Sequence, residues 1–155
     1  MSRKRQRRIG KVLRLGISIG MLSGIILGLC LKWIEWLTGK QVYTLLLNVD
    51  FIPIIGPIQW PEWVEFVFHL LIAVVIGIVF VYIVGKLNNM SIRKIVLCSF
   101  LLTLPTIPLY FPLTLLALKP TPAVDDLLAI FYWTAGHLIF AAALVFGYII
   151  LKRRL

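Results

Sequence analysis

Acidic residues are scarce in this chain. Its 155 residues include 6 Asp and Glu against 16 Lys and Arg, and the few carboxylates do not form a cluster. The sequence also contains no phosphate-binding glycine loop and no serine or cysteine beside an activating base. We therefore expect no enzyme, no bound metal and no organic cofactor.

Cysteine is equally rare, and a cleavage signal is missing. Cys30 and Cys98 are predicted near opposite ends of two different helices, which argues against a disulfide and favours packed thiols. The first apolar run follows a basic head, as in a signal peptide, but no small-x-small pattern precedes the segment LKWIEW at 31–36. We expect this run to remain as a membrane helix.

Apolar residues, by contrast, make up 61% of the chain, and the mean hydropathy is +0.99. This composition is far outside the range of soluble domains. Four apolar runs reach the roughly 20 residues that a helix needs to cross a membrane. The predicted helices are 12–37, 64–84, 95–118 and 127–151. The sequence therefore predicts an all-α, polytopic membrane protein, a four-transmembrane-helix bundle with a single membrane domain over 1–155.

The basic residues indicate how these helices are oriented. With the N-terminus in the cytoplasm, 13 of the 16 Lys and Arg lie inside, and Lys32, Lys40 and Lys119 lie outside. This distribution predicts that both termini lie in the cytoplasm. We expect the basic tail 1–11 to contact anionic lipid and not nucleic acid. The inside set is Arg3, Lys4, Arg5, Arg7, Arg8, Lys11, Arg14, Lys86, Arg93, Lys94, Lys152, Arg153 and Arg154.

The outer connection 38–61 is unusually apolar for a loop. We expect it either to lie on the bilayer surface or to fold over the bundle as a lid. Lys32 and Glu35, one turn apart at the end of the first helix, are expected to pair or to extend into the interface. Tryptophans are expected to anchor this boundary, namely Trp33, Trp36, Trp60, Trp63 and Trp133.

The first helix carries a glycine at every fourth position. In lipid, small residues at this spacing let helix backbones approach closely, as in a glycine zipper. Ala73 and Gly77 form a matching small pair on the second helix. We interpret the stripe as internal packing, with homo-oligomerisation as the alternative. Its members are Gly16, Gly20, Gly24 and Gly28.

Three titratable residues interrupt otherwise apolar helices. Glu65 and His69 lie one turn apart on one helix face, and His137 is expected at a similar depth in the fourth helix. Because ionisable groups in a bilayer are costly, the three are candidates for proton sensing. In the alternative, Glu65 lies among the headgroups and each histidine only bonds a backbone carbonyl. A haem or metal on the two histidines would lack a third suitably spaced ligand.

The third predicted helix contains Pro105, Pro108 and Pro112. Each proline removes a backbone N–H and so frees the carbonyl four residues earlier, inside the membrane. Nearby threonine or tyrosine hydroxyls, or a water, are candidate partners for these carbonyls. We interpret the motif as a packed kink, and the alternative is a broken helix that lines a polar cavity.

Several of these segments occur together in a known family. The glycine-rich first helix ending in LKWIEW, FHLLIAVVIG, YFPLTLLALKPTP and AGHLIFAAALVFGYIILKRR resemble, in this order, the YagU family of small bacterial inner-membrane proteins. The resemblance implies an integral, multi-pass protein of the bacterial plasma (inner) membrane that is linked to acid resistance. The outer connection here is shorter and less polar than in that family. The matching positions are Lys32, Trp33, His69, Pro112, Pro122, Gly136 and His137.

Two functional hypotheses follow. The first is a non-enzymatic acid-response protein in which Glu65, His69 and His137 titrate as the external pH falls and shift the helix packing. The second is a small oligomeric transporter or channel that assembles through the glycine stripe and has the kinked helix along a polar path. The first hypothesis requires the three side chains to face one another within the bundle.

Overall fold

The structure, a computed structural model, describes residues 3–152 except 57, 88 and 89, and it describes residues 3, 4, 5 and 8 by their backbone alone. Arg153, Arg154 and the first two residues of the basic tail lie outside this part of the chain. The helices are α1 (Arg3–Thr38), α2 (Val42–Leu46), α3 (Glu62–Lys86), α4 (Ile92–Thr103), α5 (Tyr110–Leu115) and α6 (Leu127–Lys152), with a 3-10 turn (Leu104–Thr106) between α4 and α5.

Four helical segments are long and apolar enough to cross a membrane. They are Ile9–Thr38, Glu62–Lys86, Ile92–Leu115 and Leu127–Lys152. The third segment combines α4, the 3-10 turn and α5. The predicted all-α bundle of four membrane helices is therefore confirmed, and the chain is a multi-pass membrane protein.

Neighbouring spans run antiparallel. Early glycines of α1 lie near the end of α3, and late ones near its beginning: Gly16 faces Ile78, whereas Gly28 faces Phe66. The hydroxyl of Ser99 in α4 donates to the carbonyl of Ala141 in α6, at 2.7 Å. We call the end of the bundle with the connections 39–61 and 116–126 the loop end, and the opposite end, which holds Arg3 and Lys152, the termini end.

The first helix is longer than expected. It begins at Arg3, not near residue 12, so the described part of the basic tail is helical. Arginine, lysine and glutamine are good helix formers, and the tail contains no residue that would stop the helix. The helix ends at Thr38, and the following Gly39 has a φ of +70° and an N–H bond to the carbonyl of Glu35 (2.8 Å), which are typical of a glycine after a helix C-terminus.

The glycine stripe of α1 lies directly against α3. A Cβ on Gly20 would come within 2.6 Å of the carbonyl oxygen of Ala73, and a Cβ on Gly77 within 2.5 Å of the carbonyl oxygen of Gly16. The two backbones therefore touch at Gly16 and Gly20, whereas Gly24 and Gly28 lie against the side chains of Ala73 and Phe66. A second copy of the chain would have to use another surface, because α3 fills this one.

The connection 39–61 folds onto the bundle. It contains α2, in which Val42 and Leu45 are fully buried. The carboxylate of Glu35 accepts the backbone N–H groups of Tyr43 (2.7 Å) and Thr44 (2.8 Å), which satisfies donors at the start of α2. Of the two expected arrangements, the structure has the one in which this segment covers the bundle.

The third span is broken at its prolines. Of the kinked helix and the broken helix considered for 95–118, the structure has the broken one: α4 ends at Thr103, α5 begins at Tyr110, and α5 ends at Leu115. Two carbonyls near the break receive side-chain donors. The hydroxyl of Thr106 donates to the carbonyl of Thr103 (2.6 Å), and the indole N–H of Trp133 donates to the carbonyl of Thr106 (3.1 Å).

Candidate functional site

A cavity of about 440 Å³ lies in the loop-end half of the bundle. Its walls come from α3, α5, α6 and the segment 46–55, and most of its lining side chains are aliphatic or aromatic. A few lining side chains carry polar or titratable groups: Asn48, Glu65, His69, Thr106, Trp133 and His137. All three residues singled out in the sequence as proton-sensing candidates thus line the same cavity.

His69 links α3 to the glycine stripe of α1. Its side chain is buried, and Nε2 lies 3.1 Å from the carbonyl oxygen of Gly24. Because a carbonyl only accepts, this ring nitrogen carries the proton of the bond. In the neutral imidazole Nδ1 is then the nitrogen that can take up a further proton. Gly24 permits this contact, since a Cβ there would lie 2.7 Å from the Cβ of Ala73 and press α1 away from α3.

His137 is held in the same way from α6. Nδ1 lies 2.8 Å from the carbonyl oxygen of Trp133, one turn earlier, and so donates to it. The imidazole also packs on the indole of Trp133, with 4.4 Å between ring centroids. In the neutral ring Nε2 remains to accept a proton. Each histidine therefore bonds a backbone carbonyl, as the alternative to proton sensing expects, and this bond fixes the tautomer of the ring. Each ring also keeps one nitrogen that can accept a proton.

Glu65 is buried beside these rings, with 5% of its surface exposed. Its carboxylate forms an ion pair with the ammonium of Lys119, which comes from the connection 116–126. Glu65 therefore has a protein partner at the loop end. Because Lys119 is more than fifty residues away in the chain, no local sequence signal pointed to it as the partner.

A second, charged cavity of about 360 Å³ lies next to the first at the loop end. Glu65 lines both. Lys32 pairs with Glu62 at 2.5 Å, and the hydroxyl of Tyr43 donates to the same carboxylate oxygen at 2.9 Å. The expected pairing of Lys32 with Glu35 is therefore wrong. The charged members of this cavity are Lys32, Glu35, Glu62, Glu65 and Lys119.

Two titratable groups on the loop-end connections have shifted pKa values. Burial, with a hydrogen bond to Glu62, raises the pKa of the Tyr43 phenol, which therefore stays protonated as a donor. Lys40 forms an ion pair with Asp126 at 2.6 Å, and this bond lowers the pKa of the Asp126 carboxyl. The N–H of Ala129 in the first turn of α6 adds to this effect.

The sequence did not indicate every residue that shapes the cavities. Trp133 was expected at the membrane boundary, but it is 2% exposed and lines the apolar cavity. Asn48 donates from Nδ2 to the carbonyl of Leu113 (2.7 Å), which fixes the covering segment to α5. A lone asparagine inside an apolar run was the available signal for such a bond.

Among the described residues, no group of three His, Cys, Asp or Glu side chains is arranged to hold a metal ion. Comparison of the chain with protein-family models, with curated proteins and with solved structures finds no match. The site therefore has to be interpreted from its own chemistry.

Proposed function

We propose that this chain is a non-enzymatic protein of a bacterial plasma membrane that responds to acid outside the cell. In this proposal both termini are cytoplasmic, the basic tail contacts anionic lipid, and the loop end faces outward. The observation that carries it is that Glu65 and His69 from α3 and His137 from α6 line the same cavity. The resemblance to the YagU family, with its link to acid resistance, agrees with this assignment.

Proton uptake would change the contacts of Glu65. A cation on either imidazole, inside a cavity with mostly apolar walls, needs a counter-charge. Glu65 is one turn from His69 and is the carboxylate nearest along that helix face, but it is paired with Lys119. The other charged groups near Glu65 are Lys32, Glu35 and Glu62 in the charged cavity. Protonated His69 would compete with Lys119 for the carboxylate and loosen the connection 116–126 from α3.

The test uses a chain in which Trp133 is the remaining tryptophan and the other four are replaced by phenylalanine. We expect its emission in liposomes to change as the external pH falls, because the indole packs on His137. Replacement of both histidines by glutamine should remove this change and also any acid-survival phenotype of cells that express the protein. Lys94→Gln, at an exposed position of the termini end, is the control that should keep both. An emission profile or survival that the histidine replacements leave unaltered would contradict the proposal.

The oligomeric transporter has less support. The broken third span does line the cavity, through Thr106 and Pro112, but most other lining groups are apolar and offer an ion few partners. The glycines that would join copies in this alternative are in contact with α3. Proton flux into liposomes that contain the purified chain, above that of empty liposomes, would favour this alternative instead.

A further inference from the structure

The apolar cavity has the depth of one bilayer leaflet. Along α3 its lining extends from Glu65 to Ile76, eleven residues apart. At a rise of about 1.5 Å per residue this is roughly 16 Å. The hydrocarbon core of a bilayer is about 30 Å thick, so half of it is about 15 Å. The cavity therefore begins near one membrane boundary and ends near the midplane.

The cavity is also open toward the surrounding lipid. Ile72 on α3 and Leu109 and Leu116 beside α5 line it, and all three are exposed side chains. The packing of the bundle explains this opening, since α3 packs mainly on α1 and makes little direct contact with α5. A hydrocarbon chain can therefore enter sideways from the leaflet without crossing a polar boundary.

An apolar space of this size would leave its wall atoms without partners if it stayed empty. Wall atoms next to a void lose their dispersion contacts. Water would not fill the space favourably, because it would find few hydrogen-bond partners there. A volume of about 440 Å³ lies within the range of about 300–1,000 Å³ of small-molecule sites. A flexible hydrocarbon chain restores these contacts at the full depth of the cavity.

The charged cavity lies where the polar head of such a molecule would be. It adjoins the apolar cavity at Glu65 and presents both signs of charge. Its ammonium groups are those of Lys32 and Lys119, and its three carboxylates outnumber them. An anionic head would meet net repulsion, whereas a head with one positive and one negative group finds a partner for each.

We propose that the two cavities form one binding site for a zwitterionic lipid of the same leaflet, with one hydrocarbon chain between α3 and α5 and the head among Lys32, Glu62 and Lys119. The proposal goes beyond the acid response, because the site binds lipid at neutral pH with both histidines uncharged. The lipid itself would close the gap between two helices that the protein leaves apart.

The experiment uses the same chain with Trp133 as the remaining tryptophan, in bilayers at neutral pH. Trp133 lines the cavity and is 2% exposed, so bulk lipid reaches it poorly. We expect strong quenching of its emission by a zwitterionic lipid with a brominated chain. The double variant Ile76→Phe with Leu113→Phe, which fills the cavity, should lose most of the quenching, because each excluded methylene lowers affinity about fourfold. Leu138→Phe, on an exposed face of α6 outside the cavity, is the matched control and should keep it.

A second measurement needs no cavity variant. Unbrominated zwitterionic lipid added to the brominated bilayer should restore emission, and the same amount of anionic lipid should restore less. Equal restoration by both lipids, or equal quenching in the filled and control variants, would overturn the proposal. The quenching is measured at neutral pH on the chain with unaltered histidines, whereas the acid response is measured as the external pH falls, so failure of the acid response and failure of lipid binding can be told apart.

Discussion

The close contact between α1 and α3 lets us predict how much Gly20→Ala lowers the free energy of unfolding. A Cβ there would lie 2.6 Å from the carbonyl oxygen of Ala73 and 2.6 Å from the Cα of Val74, whereas ordinary contact begins at 3.4 Å. Both neighbours are backbone atoms, which cannot rotate away. Gly20→Ala therefore requires the two helices to separate by about 0.8 Å, the difference between these distances.

The cost of this separation follows from packing. A gap of about 0.5–1 Å removes a quarter to a half of the dispersion attraction of the atoms on either side. The loss extends beyond one residue, because Gly16 and Gly24 contact the same face of α3. Overpacking of this kind typically costs about 1–3 kcal/mol, while alanine gains about 1 kcal/mol in helix propensity measured in water.

Gly10→Ala is the matched control in the same helix. A Cβ on Gly10 would meet nothing within 4 Å, so this variant gains the propensity without the steric cost. We expect the free energy of unfolding of Gly20→Ala to be about 1–3 kcal/mol below that of Gly10→Ala. The assay is reversible unfolding of the purified chain by a denaturing detergent in mixed micelles. Equal free energies for the two variants would refute the claim that the backbones touch at this position.

Two further predictions concern the loop end. The ion pair with Lys40 lowers the pKa of Asp126, so Asp126 contributes stability above its ordinary pKa, and this contribution is lost as the pH falls through the lowered value. Lys40→Gln should raise the Asp126 pKa measured by carboxyl NMR, whereas Lys94→Gln at the termini end should not. Tyr110 is fully buried, and its hydroxyl donates to the carbonyl of Ala123 at 2.7 Å. Tyr110→Phe should lower the free energy of unfolding by about 1–3 kcal/mol, with Tyr82→Phe on an exposed ring as the control; no difference between the two would contradict the importance of this bond.

The fold was largely predictable from the sequence because the bilayer imposes a simple rule. Every spanning segment needs about 20 apolar residues, and four such runs are visible. The exact helix ends were harder to predict from the sequence. The basic tail continues α1 because its residues favour a helix. The third span breaks at its prolines, which lack a backbone N–H, and two carbonyls near the break accept bonds from Thr106 and Trp133.

The candidate site was predictable in part, for a different reason. Spacing alone places Glu65 and His69 on one helix face, and the expected depth of His137 brings it to the same level. The partner of Glu65 could not be inferred in this way, since Lys119 reaches it from a connection whose course depends on the whole fold. The cavity itself arises from a gap between α3 and α5. Residue spacing along the chain does not predict how far apart two helices pack.

The ion pairs of the loop end differ in how far solvent reaches them. The side chains of Lys32 and Glu62 are 53% and 57% exposed, whereas that of Glu65, the partner of Lys119, is 6% exposed. Dissolved salt screens exposed charges over about 10 Å at 0.1 M but affects enclosed ones far less. Rising ionic strength should therefore weaken the ion pair between Lys32 and Glu62 first. The ion pair between Lys119 and Glu65 should persist at salt concentrations that already separate Lys32 from Glu62.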